Sequence, residues 1–429
     1  MRFFYNILVL LGLPFVGVYW LWRAFRDASY RANWWQRFGF GHPVADAGQR
    51  TVWIHAVSVG EVQAAAPLIR ALQHRLPGSR ILITTVTPTG GDRVRLLFGD
   101  TVTHAFAPYD VRAAVRRFYD RIAPSLAIII ETELWPNLYN EAGERSVPLV
   151  LASARISPRS MPRYRRLVSL FRDALSNGII IAAQSEADRQ RFVELGAPID
   201  RTFVSGNIKF DFEHRADLVE HGKALRTTLL GERPIWIAAS THDGEDDIVI
   251  AAHQKLCELV PDALLILVPR HPARFDETAD KLVSAGVSFQ RRTVANRIDS
   301  QTTVMLGDTM GEVNLFYAAS DIAFVGGSLV PIGGHNILEP AALSLPILAG
   351  PHLYNAQEIA TLFRDHGAIN IVENTDELFD SLQSLFRREK LRKTMGGLAW
   401  SLLADNRGAV DRLLNRLEPF LQYERSRDQ

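Results

Sequence analysis

Glu61 follows the apolar run TVWIHAVSV, in the stretch HAVSVGEVQAAAPLIRAL, at or near the start of a helix. A helix dipole favours the ionised form of a carboxylate placed there, which is the state a general base needs. A first-turn acid also complements the dipole with no chemistry attached. Further on, IIIETELWPN carries Glu131 at the end of an apolar run and Glu133 two residues later. Paired carboxylates at a strand end suit sugar chemistry, where positive charge develops at the anomeric carbon or a hydroxyl must be oriented. One of the two equally suits a structural cap. Lys209, in GNIKFD, is the first lysine of a chain whose earlier cationic positions are all arginine. A compact ammonium there fits a carboxylate or phosphate partner.

The second half of the chain offers groups for a nucleotide. VPRHP places Arg270 and His271 at a strand end, where a guanidinium pairs with phosphate. GDTMGEVNLFYAASD reads as a loop feeding an amphipathic helix, with backbone near Met310 and Gly311 available to a base or ribose. In VGGSLVPIGGHNILEPAALSLPILAGP, Gly333 and Gly334 precede a helix expected to start near Asn336, a glycine-rich turn suited to an anion, with Glu339 placed to reach ribose hydroxyls. This is neither a Walker loop nor a GxGxxG fingerprint. The twelve histidines include no HExxH, and His55, His242, His271 and His335 fall on separate loops, so no bound metal is expected.

These residues need a scaffold that brings strand ends together. From residue 51 the chain alternates short apolar strands with amphipathic helices, the rhythm of parallel βαβ units. At 429 residues it is too long for one core. Hydrophobic residues at 47% and charged residues at 22% describe a globular chain, and a formal net charge of +1 supplies no field for nucleic acid. The lone Cys257 excludes an internal disulfide framework and fits a reducing compartment. The expected organisation is α/β: a doubly wound Rossmann-like domain over 45–205, a polar linker over 206–232, and a second such domain with closing helices over 233–423. Open sheets of this kind bind ligands outside their carboxyl ends, which is where the motifs lie. A glycosyltransferase of the two-Rossmann GT-B architecture fits best, with the sugar left open.

Residues 3–22, FFYNILVLLGLPFVGVYWLW, carry no charge and are long enough to span a bilayer. The run exceeds a signal peptide's apolar region and no small-residue cleavage pattern succeeds it, so residues 1–25 read as a retained anchor. Arg23, Arg26, Arg31 and Arg37, against Asp27 alone, put the remainder of the chain on the cytoplasmic side. Pro14 and Gly17 leave both spanning and lying in one leaflet open.

Taken together, HAVSVGE, TTVTPTG, ETELWPN, GNIKFD, VPRHP, GDTMGE and GGHNILEPA resemble, in order and over essentially the whole chain, the 3-deoxy-D-manno-octulosonic acid (Kdo) transferases. The resemblance implies a GT-B fold, CMP-Kdo as donor and the acylated disaccharide lipid IV(A) as acceptor, at the cytoplasmic face of the inner membrane. It implies no cofactor and an inverting displacement. It casts Glu61 as proton acceptor and Glu131 with Lys209 as transition-state stabilisers. The CMP positions it implies are Pro269, Arg270, Met310, Gly311, Glu312, Asn336, Ile337, Leu338 and Glu339. The neighbouring possibility is another GT-B enzyme using a UDP-sugar.

Overall fold

The computed structural model describes residues 2–44, 48–166, 168–175, 178–212, 217–295 and 297–422. The expected domain limits at 45 and 423, and residues 213–216 of the expected linker, lie outside these.

Two compact units are present: Met1–Phe212 with Asn406–Gln429, and Glu213–Asp405. The first is built on strands β1 (Thr51–His55), β2 (Arg80–Thr85), β3 (Thr103–Phe106), β4 (Leu126–Ile130), β5 (Leu149–Ala154), β6 (Ile180–Ala183) and β7 (Thr202–Val204). They form one sheet in the order β3-β2-β1-β4-β5-β6-β7, with parallel pairings throughout. The second unit has β8 (Ile235–Thr241), β9 (Leu264–Pro269), β10 (Phe289–Arg291), β11 (Val304–Leu306), β12 (Ile322–Val325), β13 (Ile347–Ala349) and β14 (Ile369–Ile371), in the order β10-β11-β9-β8-β12-β13-β14. Both are doubly wound, so each has a topological switch point: between β1 and β4 in the first sheet, and between β8 and β12 in the second.

Strand side chains alternate between two buried faces, which is why the central strands read as continuous apolar runs. On one side of the first sheet Val52, Ile54, Ile128 and Ile130 join a core with the helix Val59–Arg75; on the other, Trp53, Ala127 and Ile129 meet Phe118 and Tyr119. The second sheet divides in the same way, Trp236 and Leu265 on one face, Ile237 and Ile266 on the other.

Two parts of the expected organisation change. The closing helices are expected in the second domain, but the last one, Ala409–Leu421, belongs to the first unit, where Val410, Leu413, Leu414, Leu417 and Leu421 complete the core around Val52 and Ile54. Their i, i+3, i+4 spacing gives the helix one apolar stripe, and the first sheet buries it. Asp211 holds its start, accepting from the backbone N–H of Val410 at 2.6 Å. Nor is the polar stretch after residue 205 simply a linker. Leu218–Leu225 is a helix of the second unit whose Gly222 lies so close to Ala318 that an added Cβ would sit 2.5 Å from that residue's own Cβ.

Candidate active site

In the first unit the switch point gathers the carboxylates that the sequence singles out. β1 leads through Ser58 into the helix Val59–Arg75, which puts Glu61 in the first turn, where its Oε2 accepts from the Val57 N–H at 2.8 Å. β4, the neighbour of β1, ends directly at Glu131. Lys209 arrives from the short 3-10 turn Ile208–Asp211, whose start is capped by the Asn207 side chain accepting from the Lys209 N–H at 3.0 Å. Its Nζ lies 2.8 Å from Glu131 Oε1, and Arg155 Nε, just beyond β5, lies 3.3 Å from Oε2. Glu131 is thus clamped between two cations.

Its backbone is also unusual: φ is +59°, a left-handed conformation in a residue with a full side chain. Such conformations cost on the order of 1–3 kcal/mol and persist where surrounding structure enforces them, often at functional sites. Here the left-handed turn interrupts the extended chain where the strand ends.

Glu133 is turned to a different task. Its carboxylate accepts from the Trp135 indole N–H at 2.6 Å, and the Trp135 ring packs on His55 with centroids 5.3 Å apart. Burial raises the Glu133 carboxyl above its usual range, Trp135 opposes the rise and Glu131 adds to it. Burial also pushes Glu61 up, to about 8; the Val57 N–H opposes this, Glu131 and Glu133 reinforce it, and Lys209 opposes it. The helix dipole alone is expected to keep Glu61 ionised. Desolvation next to two further carboxylates outweighs the dipole, leaving a group that exchanges its proton near neutrality.

In the second unit, loops after β8, β9 and β12 converge at the switch point. Arg270 follows β9 directly, is exposed, and among the described residues forms no ion pair. Pro269 is buried in the strand end, so it presents backbone only. Met310 is 62% exposed and Gly311 takes φ +86°, while Glu312 is held by Arg292 at 3.0 Å and by the Thr309 hydroxyl. Asn336 accepts from the Leu338 N–H at 3.1 Å and donates to Glu339 at 3.2 Å. The helix begins at Leu338, close to the expected start, with Ile337 at its N-cap and the Asn336 side chain bonded to its first N–H. Ile337 and Leu338 are core residues, 1% and 2% exposed, so their side chains do not face a ligand.

The glycine-rich turn differs from expectation in a telling way. Gly333 and Gly334 are required: φ is +109° and +74°, and an added Cβ would sit 2.5 Å from Asn355 or 2.4 Å from Leu353. The N–H groups of Gly334 and His335, however, donate to the carbonyls of Gly327 and Gly326 at 2.7 and 3.1 Å. Those of Gly327, Ser328 and Leu329 all donate to Glu245, at 2.7, 2.9 and 2.9 Å, and the His242 N–H joins them at 2.9 Å. The anion held by the backbone of residues 327–329 is therefore the protein's own fully buried carboxylate. Glu245 ties the loop after β8 to the loop after β12. Glu245→Gln turns an amide NH₂ toward donors, and each buried N–H left unpaired costs about 1–3 kcal/mol. We expect a lower melting temperature for this variant by calorimetry.

Sequence reasoning misses both Glu245 and the meeting of the histidines. His242 and His335 stack at an interplanar angle of 8° with Nε2 atoms 2.9 Å apart, and His271 lies edge-on to His242 at 5.5 Å. Burial, and after it the nearby Arg270 and the other two rings, pushes His335 down to about 4. The available signal is positional: His242 and His271 stand just beyond β8 and β9, and His335 lies further along the loop that follows β12, the other neighbour of β8. His55 is a core residue at the end of β1, fully buried and bonded to the Thr84 hydroxyl at 2.9 Å. Among the described residues, no group of three or more His, Cys, Asp or Glu side chains is arranged to hold a metal ion.

A family model described as 3-Deoxy-D-manno-octulosonic-acid transferase (kdotransferase) matches residues 32–212. Over 422 residues the chain is 40% identical to a 3-deoxy-D-manno-octulosonic acid transferase of Haemophilus influenzae, covering 98% of this chain and 99% of that one. A Bordetella pertussis protein of the same description is 36% identical over 431 residues, with 96% and 98% covered. The UDP-GlcNAc 2-epimerase of Neisseria meningitidis superposes with a TM-score of 0.55 at 14% identity, covering 86% of this chain and 100% of that one, a likeness of GT-B fold alone. Identity at the level of the first two relatives, sustained over nearly the full length, places this chain in the 3-deoxy-D-manno-octulosonic acid (Kdo) transferase family of glycosyltransferases.

Proposed function

We propose that the protein transfers Kdo from CMP-Kdo to lipid IV(A) at the cytoplasmic face of the inner membrane, an early step of lipopolysaccharide synthesis. The observation that carries this is the pairing of Glu61 with the Glu131–Lys209 ion pair at one switch point, in a chain of the Kdo transferase family. Glu61 takes the proton from an acceptor hydroxyl, whose oxygen attacks the anomeric carbon of Kdo from the side opposite CMP. The anomeric C–O bond breaks and CMP leaves with its electron pair, inverting the configuration. Lys209, oriented by Glu131, stabilises charge that develops in the transition state.

The second unit binds the donor. Arg270 supplies positive charge to the departing phosphate without a metal ion. Pro269, Met310, Gly311, Glu312 and Asn336 border the nucleotide, Glu339 reaches its ribose, and the buried Ile337 and Leu338 contribute backbone only. Arg270→Ala is expected to weaken CMP binding about tenfold, the worth of one charge-assisted hydrogen bond, as read by titration calorimetry. The N-terminal helix Arg2–Arg26 is long and apolar enough to attach the enzyme to the membrane that holds the acceptor's acyl chains.

The reading is tested by nucleotide release. CMP freed from CMP-Kdo only in the presence of lipid IV(A) supports it. Turnover of a UDP-sugar, with CMP-Kdo left intact, would overturn it.

A further inference from the structure

The N-terminal helix does not stand free of the first unit. Along its length partial burial recurs at Tyr5, Val9, Leu13, Val16 and Trp20, spaced by three and four residues. That is one face of a helix. Phe4, Leu8, Leu11, Phe15, Val18 and Trp22 occupy the opposite face, and each is 47% to 79% exposed.

Polar contacts fix the inner face near its start. The Tyr5 hydroxyl donates to Asp110 Oδ2 at 2.7 Å, and Asn6 Oδ1 accepts from Asn137 Nδ2 at 2.8 Å. Asp110 in turn accepts from the N–H groups of Asn137 and Leu138, at 3.0 and 2.9 Å, at the start of the helix Pro136–Glu144. That helix comes directly after the Glu131–Glu133 segment. Fifteen residues on from Tyr5, the Trp20 ring lies under the Arg37 guanidinium, 3.8 Å from its centroid, and tilts against Tyr30 at 5.1 Å. Between these two attachments run about 22 Å of helix.

A helix crossing a bilayer is bathed in hydrocarbon on every side not covered by protein, through a layer about 30 Å thick. Crossing in this arrangement would draw the Asp110 carboxylate and the Arg37 guanidinium into that layer, an expensive burial. The geometry points instead to a helix that lies in the plane of the membrane, immersed by its outer face and roofed by the first unit. The surface it fits is an anionic lipid leaflet. At the helix end Arg26 sits over the Trp22 ring, 4.3 Å from its centroid, and the exposed Trp34 and Trp35 come next, the combination of cation and indole that settles at headgroup level. The carboxyl edge of the first sheet is thereby held beside the leaflet rather than swung on a tether.

This inference rests on the membrane attachment proposed above, and one experiment separates the two. The full-length protein, in a Cys257→Ser background, carries a single fluorophore through Phe4→Cys, Phe15→Cys or Phe25→Cys, all on exposed positions. It is bound to phosphatidylethanolamine–phosphatidylglycerol vesicles containing lipids brominated at defined depths. An in-plane helix gives all three positions the same shallow depth, about 5–10 Å below the headgroups. A label at position 15 near the bilayer centre, about 15 Å deep, with those at 4 and 25 shallow, would overturn the in-plane arrangement while leaving attachment intact. No association with the vesicles would overturn both.

Discussion

Glu61→Gln should lower kcat for Kdo transfer by roughly 10²–10⁴-fold, the range a positioned general base contributes, while CMP binding stays unchanged. The amide keeps the size of the side chain and loses only its capacity to take a proton. The Val57 N–H, which donates to the carboxylate at 2.8 Å, still finds an acceptor in the amide oxygen, so the helix start should hold. The carboxyl also predicts a pH profile. Burial next to Glu131 and Glu133 pushes Glu61 up to about 8, and only the ionised form accepts the acceptor's proton. Activity should therefore climb as pH rises through about 8 and level off above it, measured as kcat/KM. Glu133→Gln removes one of the charges that raise Glu61, and should move this limb to lower pH. Loss of CMP binding in Glu61→Gln, or a rate independent of pH across this window, would remove Glu61 from the role of base.

Lys209→Met is expected to reduce kcat by about 10²–10³-fold, comparable to deleting one preorganised electrostatic donor. Nζ stands 2.8 Å from Glu131, whose other oxygen is 3.3 Å from Arg155, so the carboxylate retains one cation when Lys209 is removed. Melting temperature should fall little, and that small fall against a large kinetic loss is what separates a catalytic ammonium from a structural one. Lys209→Arg should not restore the rate, because a planar fork on a longer reach cannot occupy the place of a compact ammonium. A variant that melts far below the parent protein, with kcat recovering at lower temperature, would assign Lys209 a structural role instead.

The parts of the fold that are legible in the sequence are those whose physics is local. The inner strands β1, β2, β4, β5, β6, β8, β9, β11, β12 and β13 are covered on both faces, so each carries a mostly apolar run. The strands that escape such a reading, β3, β7, β10 and β14, are the two outer edges of each sheet. They are three or four residues long and each is partly exposed, so THAF, TFV, FQR and INI give no such run. The last helix has a clear apolar stripe, but a stripe does not say which sheet will cover it.

The same division runs through the site. Glu61, Glu131, Lys209 and Arg270 stand out because each follows a readable strand or a distinctive change of residue type. The left-handed turn at Glu131 does not, since nothing in IIIETEL departs from ordinary backbone preference. Glu245 is invisible for a different reason. Its four donors come from its own loop and from residues more than eighty positions later, and only the adjacency of β8 and β12 brings them together. The glycines around residues 326–334 do mark a turn that needs close backbone approach, but the Gly327 N–H answers to that carboxylate, the Gly326 N–H to the Ala239 carbonyl and the Gly334 N–H to the Gly327 carbonyl.

The most direct test of the proposed reaction is mass spectrometry of lipid IV(A) after incubation with the full-length protein and CMP-Kdo, with Glu61→Gln alongside. Lipid heavier by whole Kdo residues, formed by the parent protein and missing with the variant, is the predicted result. Unchanged lipid IV(A) from a folded protein that binds CMP-Kdo, or equal product from the variant, would contradict it.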